Sequence, residues 1–242
     1  MPRERIVEAA QRRAEIVIAI LFLVTAATSI PAAFVLDPIL NVPDYLSRIF
    51  PNKGAIELGA LLWSINNIGI VFIAVFAFSL LRKLDEALAI GYLAARIIEG
   101  TIMMVGIIAT FLLIPLSQQY IMAGSAQASW FGAIGDVLKH ARFLGLSQVS
   151  LPILGLGGLL FTWILFRFRL VPLFISGVGL IGYALVFLGG IAGWFDLIDV
   201  SPGGNASPLM IPVALWEIIL LPFWLFFRGF RMPDVTETGV SK

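Results

Sequence analysis

Six apolar segments divide the chain, at residues 16–36, 58–81, 88–114, 143–166, 172–194 and 209–230. Each is long enough, at about 1.5 Å per residue, to cross roughly 30 Å of hydrocarbon as a helix. The pattern predicts an all-α polytopic membrane protein, a six-transmembrane-helix bundle with short amphipathic outer segments. A charged arm (1–15) precedes the membrane domain (16–230), and a polar tail (231–242) follows it.

The connections alternate between short and long. In the first long one, Pro43 suits a first helical turn, and Val42, Leu46, Ile49 and Phe50 recur at helical spacing. Two placements fit that short helix: flat on the outer leaflet, or folded over the bundle as a cap. In the second, Trp130, Ile134, Val137, Leu138 and Ala141 share a stripe, with Gln127, Asp136 and Lys139 between them. A bent helix leading into the fourth span is expected there. The third, residues 196–208, is a Ser, Pro, Gly and Asn turn region.

Composition narrows the class. The chain is 60% hydrophobic and 13% charged, against about 25% charged in soluble domains. The net charge of +1, with no basic stripe, argues against a nucleic-acid partner. Cys is absent and His140 is the single histidine, so thiolate chemistry, iron–sulfur ligation and multi-histidine metal sites have no residues to build on. No metal or cofactor is expected. The first apolar run is too long for a signal-peptide core and reads as an uncleaved span. Eleven Lys and Arg residues flank the spans on the side of the arm and tail, Arg3, Arg5, Arg12, Arg13 and Lys242 among them. The other side has four: Arg48, Lys53, Lys139 and Arg142. The positive-inside rule then puts both termini in the cytoplasm.

The third span is the anomaly. Its 13 Leu, Ile, Val and Phe residues return about 4 to 8 kcal/mol on insertion. Arg96 and Glu99 near its middle cost about 5 to 7. The balance is near zero unless the charges are paired. Three residues apart, they share one helix face, a stripe with Tyr92, Met103, Gly106 and Thr110. That face must look into protein, and small Gly106 leaves room beside it. At comparable depth lie Asn66 and Asn67 of the second span, Gln148 of the fourth and Glu217 of the sixth. Arg96, Glu99 and Glu217 are expected to converge, with Asn66 or Asn67 completing the hydrogen bonds, and Pro152, Pro212 and Pro222 freeing carbonyls nearby. The three charges sum to −1 if all are ionised, which a proton or a bound cation would neutralise. Two readings stay open: a packing lock, and a small polar pocket opening to the outer half of the membrane.

Catalytic templates fail in turn. There is no His-Glu-x-x-His, and Gly132 to Asp136 is one residue too long for an intramembrane aspartyl protease motif. His140 reads as interfacial. Gly177, Gly179 and Gly182 spell a dinucleotide fingerprint, but inside a membrane helix and without its strand. Those glycines, with Gly189, Gly193 and the Gly155, Gly157, Gly158 triplet, read as close helix packing.

Tyr92 to Glu99, Arg169 to Pro172 with Gly179 to Tyr183, and Pro212 to Glu217 through Arg228-Gly229-Phe230 resemble a large bacterial family. It is a family of six-helix integral membrane proteins described as a domain of unknown function. The resemblance implies a bacterial inner membrane and six helices, and no substrate. Two function classes follow from the residues. One is binding or transport of a small polar or amphipathic ligand, such as a lipid head group, at the mid-membrane cluster. The other is a non-catalytic accessory or structural subunit, with a protein partner or a second copy of the chain.

Overall fold

The computed structural model describes residues 2–123, 128–201 and 203–233. Gln127 and Lys242, used above, lie outside the described residues, as do the side chains of Arg3 and Arg5 and most of the tail. Nine α-helices account for almost everything described: α1 (Pro2–Leu40), α2 (Tyr45–Ile49), α3 (Lys53–Leu81), α4 (Glu86–Ala123), α5 (Ala128–Phe143), α6 (Ser150–Arg167), α7 (Leu173–Trp194), α8 (Ile211–Leu215) and α9 (Leu221–Phe227). A π turn, Leu144–Gln148, joins α5 to α6, and a second, Trp216–Leu220, joins α8 to α9. Six helical stretches are long and apolar enough to cross a membrane: Glu8–Leu40, Lys53–Leu81, Glu86–Ala123, Ser129–Arg167, Leu173–Trp194 and Ser207–Phe227. The protein is a multi-pass membrane protein. The arm expected over residues 1–15 is helical from Pro2 and continuous with the first span.

Small residues set the packing. Helix α1 lies along α3, with Leu36 over Gly59 and Thr25 over Gly69. Helices α6 and α7 approach closely, with Gly155 against the Phe187 backbone and Gly190 against Pro152. Without a hydrophobic force between helices in lipid, such backbone proximity is what holds them together. Gly179, Gly182, Gly189 and Gly193 meet neighbours in this way; Gly177 faces open space and has no packing role. The main core gathers Phe22, Tyr92, Phe161, Tyr183 and Trp216 toward the face that carries Arg12, Arg82, Arg167 and Arg228, called here the basic face.

A second core lies toward the opposite face. Helix α4 continues through Pro115 to Ala123, past the expected end near Ile114, and α5 folds back along it. At 38 residues α4 is about 57 Å long, well beyond the hydrocarbon thickness. The extension gives α2 something to cover. Leu46 and Ile49 are buried with Leu36, Leu113 and Phe131. Of the two placements open to α2, the cap is the one found. The α5 stripe is rotated from its expected register: Trp130 and Val137 are each 68% exposed, and Phe131 and Gly135 are buried instead. Gly135 decides the register, because Tyr45 and Leu46 pack where its side chain would be. The Tyr45 hydroxyl donates to Asp136 Oδ1 at 2.8 Å. Burial and that acidic neighbour raise its pKa.

Ser117 ties the cap down. Its fully buried Oγ accepts from Phe50 N at 2.9 Å and donates to Leu46 O. Ser117→Val leaves both buried backbone groups unpaired, at roughly 1 to 3 kcal/mol each. The expected result is faster amide exchange across residues 42–52 with exchange in α6 and α7 unchanged, read by hydrogen-exchange mass spectrometry. Equal exchange in the variant and the parent would mean that α2 is held by its apolar contacts alone.

Candidate functional site

Arg96 and Glu99 are buried one turn apart on α4, with side-chain exposures of 3% and 5%. Arg96 Nη1 donates to Glu99 Oε2 at 2.9 Å. Its other end, Nη2, lies 3.7 Å from Glu217 Oε1 of the second π turn. The Tyr183 hydroxyl of α7 donates to the same Oε1 at 2.5 Å. The guanidinium sits 5.7 Å from the Tyr92 ring centroid, which adds cation–π attraction. Three segments thus converge around one cation, in a setting where unpaired charge is expensive.

The π turn explains how Glu217 gets there. Pro222 has no N–H to give the preceding turn, and Leu221 N instead donates five residues back to Trp216 O. The wider turn changes the register of the residues around it. Trp216 is fully buried, and Glu217 keeps 28% of its side chain exposed. Below the charges Trp216 meets Tyr183, Phe22 and Phe161 edge-on at 5.5, 5.9 and 6.0 Å, and Phe161 stacks on Tyr92 at 4.8 Å. Trp216 Nε1 is satisfied by Ile175 O at 2.8 Å. This aromatic floor closes the cluster off from the basic face.

Above the floor is a cavity of about 440 Å³, within the range of small-molecule sites. Arg96, Glu99 and Glu217 line one end, and Ser201, Ala206 and Ser207, on the connection between α7 and α8, line the other. Apolar side chains such as Phe22, Ile70, Leu154 and Val186 form most of the wall between. Asn66 lines the cavity as well, but its Nδ2 donates to Thr25 O at 3.0 Å, fastening α3 to α1. Asn67 donates to Gly100 O at 3.0 Å, fastening α3 to α4, and lies outside the cavity lining. Neither amide completes the Arg96 hydrogen bonds, because a backbone carbonyl at each helix crossing reaches it first. Gln148 belongs to the first π turn and donates to Gly193 O at 2.9 Å, away from the charges. The space expected beside Gly106 is filled by Leu146 and by the backbone of Gly145. Among the described residues no group of three or more His, Asp or Glu is placed to hold a metal.

Residues 17–229 match the family model described as Domain of unknown function (DUF4386). The chain belongs to that family. No curated protein and no solved structure matches it.

In this DUF4386 chain two contributors to the site went unread in the sequence. Tyr183 and Trp216 look like ordinary aromatic residues of apolar spans. The available signal was Gly158, whose missing side chain is what admits the Tyr183 ring. The second omission is a latch at the basic face. Buried Glu15 of α1 accepts from Gln11 Nε2 at 2.9 Å and from Phe230 N at 3.1 Å. Arg12 donates to the Leu225 and Phe226 carbonyls, both at 2.5 Å, where the α9 dipole favours a cation. Gly229 has φ 72°, and Glu15 stands where its side chain would be. Arg228-Gly229-Phe230 is therefore the receiving half of a contact made by the first helix.

Arg96→Met alone leaves Glu99 buried and uncompensated, at about 3 to 5 kcal/mol. Removing both partners of a buried pair is often tolerated, so Arg96→Met with Glu99→Leu is expected to recover most of that loss. Denaturant unfolding in detergent micelles, followed by tryptophan fluorescence, measures both. A double variant no more stable than the single one would show that Arg96 serves Glu217 more than Glu99.

Proposed function

We propose that this protein binds a small polar or amphipathic, lipid-like molecule in the cavity above Arg96, Glu99 and Glu217. One observation carries the reading: a charged cluster that only locked helices together would be sealed, whereas Glu217 is 28% exposed toward a cavity of about 440 Å³. Arg96, itself paired with Glu99, and Tyr183 fix Glu217 in place, Asn66 supplies a polar wall, and Asn67 and Gln148 hold the surrounding helices. The accessory-subunit reading drew on the glycine faces, and most of those glycines are occupied by neighbours within this chain. Ala214, on the cavity wall and small, is the place to fill it. Native mass spectrometry of gently extracted protein should find a co-purifying small molecule in the parent and none in Ala214→Trp. A stoichiometric protein partner with no small ligand would favour the subunit role instead.

We further propose the bacterial inner membrane, with both ends of the chain in the cytoplasm. The eleven-to-four imbalance of Lys and Arg supports it. Since the chain has no Cys, single cysteines report cleanly. Asn205→Cys should react with an impermeant thiol reagent on intact cells, and Lys83→Cys only after permeabilisation. The reverse pattern would invert the topology.

A further inference from the structure

The cavity wall has an uneven supply of hydrogen-bonding groups. Glu217 Oε2, Glu99 Oε1 and Asn66 Oδ1 accept no hydrogen bond among the described residues, and all three side chains line the cavity. Two hydroxyls of the wall are committed to their own helices. The Thr25 hydroxyl turns back to Phe22 O at 2.8 Å, and Ser150 to Ser147 O at 3.2 Å. Arg96 Nη1 donates to Glu99, Nη2 faces Glu217 at 3.7 Å, and the unpaired Nε is buried beside Gly157 of α6. Trp63 Nε1 is unpaired and buried too. A ligand head at the charged end meets two carboxylates with free oxygens, set against the single positive charge of Arg96.

The remaining wall selects the body of the ligand. Helix α1 closes on the last span only where it meets the π turn and α9, while α8 packs on α7. Between the outer half of α1 and α8, the cavity wall is made by Ala26, Ser29 and Ile30 on one side and Met210, Ala214 and Ile218 on the other. Ile30 is 49% exposed and Ala214 is exposed, so this gap faces the bilayer, and it is apolar apart from Ser29, whose hydroxyl turns to Ala26 O at 3.5 Å. A chain-like apolar tail can lie across it.

Building on the cavity reading above, we infer that the site takes an amphiphile with a primary ammonium head, seated on Glu217 and Glu99, and an alkyl tail in the α1–α8 gap. An ammonium offers three donors and no acceptor, the complement of the free oxygens, and its charge balances the second carboxylate. An anionic head would face two carboxylates, and a hydroxyl head would leave acceptors unmet.

Thermal unfolding of the full chain in maltoside micelles, with n-decylammonium, decanol or decanoate added, tests the head-group class. The expected half-maximal rise in Tm comes at a concentration at least about tenfold lower for decylammonium than for the other two. Glu217→Gln, which can still accept from Tyr183, should abolish that preference and leave the decanol response unchanged. If Glu217→Gln does not fold, the ranking in the parent decides alone. Decanol or decanoate matching decylammonium would overturn the ammonium assignment and leave the cavity reading standing. No response to any of the three would overturn both. Where decylammonium wins, native mass spectrometry after extraction from phosphatidylethanolamine-rich and phosphatidylethanolamine-free membranes separates the sources. Phosphatidylethanolamine retained from the first identifies a lipid head group, and a small amine retained from both identifies a free amine.

Discussion

A guanidinium in the middle of a membrane helix has to be answered from within the protein, and the helix bundle is arranged to answer it. Arg96 cannot give up its proton, and an unpaired charge at its depth is expensive, so its partners come from the protein. Glu99 supplies the local one. Glu217 arrives from the last span, and reaches inward because a π turn replaces a regular one just before Pro222. Tyr183 then fixes Glu217, and Gly158 makes room for Tyr183. Each step depends on the previous one, so a change of one methyl at Gly158 bears on a charge two helices away.

The latch at the basic face belongs to the same chain of dependence. The last span is broken into α8, a π turn and α9, and broken helices need external support. Arg12 satisfies two carbonyls at the end of α9, and Glu15 receives the backbone of Phe230. With α9 held against α1, the π turn cannot swing outward. The first and last helices are thereby closed at one end, and the cavity takes up the space where they are not.

Much of this was legible in the sequence, for a definite reason. Six spans follow from composition, because lipid demands long apolar helices and permits little else. That Arg96, Glu99 and Glu217 should meet follows from the cost of leaving charges unpaired, and the structure brings them together. Where the expectation failed, geometry finer than depth was involved. Asn66 and Asn67 lie at a suitable depth, but a helix crossing offers a carbonyl closer than Arg96. Gly106 looked like free space and proved to be the point where the backbone near Gly145 crosses α4. The stripe on α5 shifted because periodicity shows that a face exists, and only Gly135 against Tyr45 shows which. Glu15 was hidden by its position in a charged arm, where a solvated role is the ordinary one.

Pairing alone does not account for the whole arrangement. A guanidinium with one buried carboxylate is already charge-neutral, and a tyrosine hydroxyl with a backbone carbonyl could satisfy more of its donors. The chain instead brings a second carboxylate within 3.7 Å and leaves more than a quarter of it exposed to a cavity. Sealing the site would need only a larger residue at Ala26 or Ala214, both of which border the opening. Tyr183 and Arg96 hold this carboxylate with its second oxygen unpaired among the described residues and a gap beside it. The aromatic floor agrees with this: Trp216, Phe161 and Tyr92 close the cavity toward the basic face and leave the gap between α1 and α8 as its flank. That flank is bordered by Ile30 and Ala214, both exposed on the outside of the bundle.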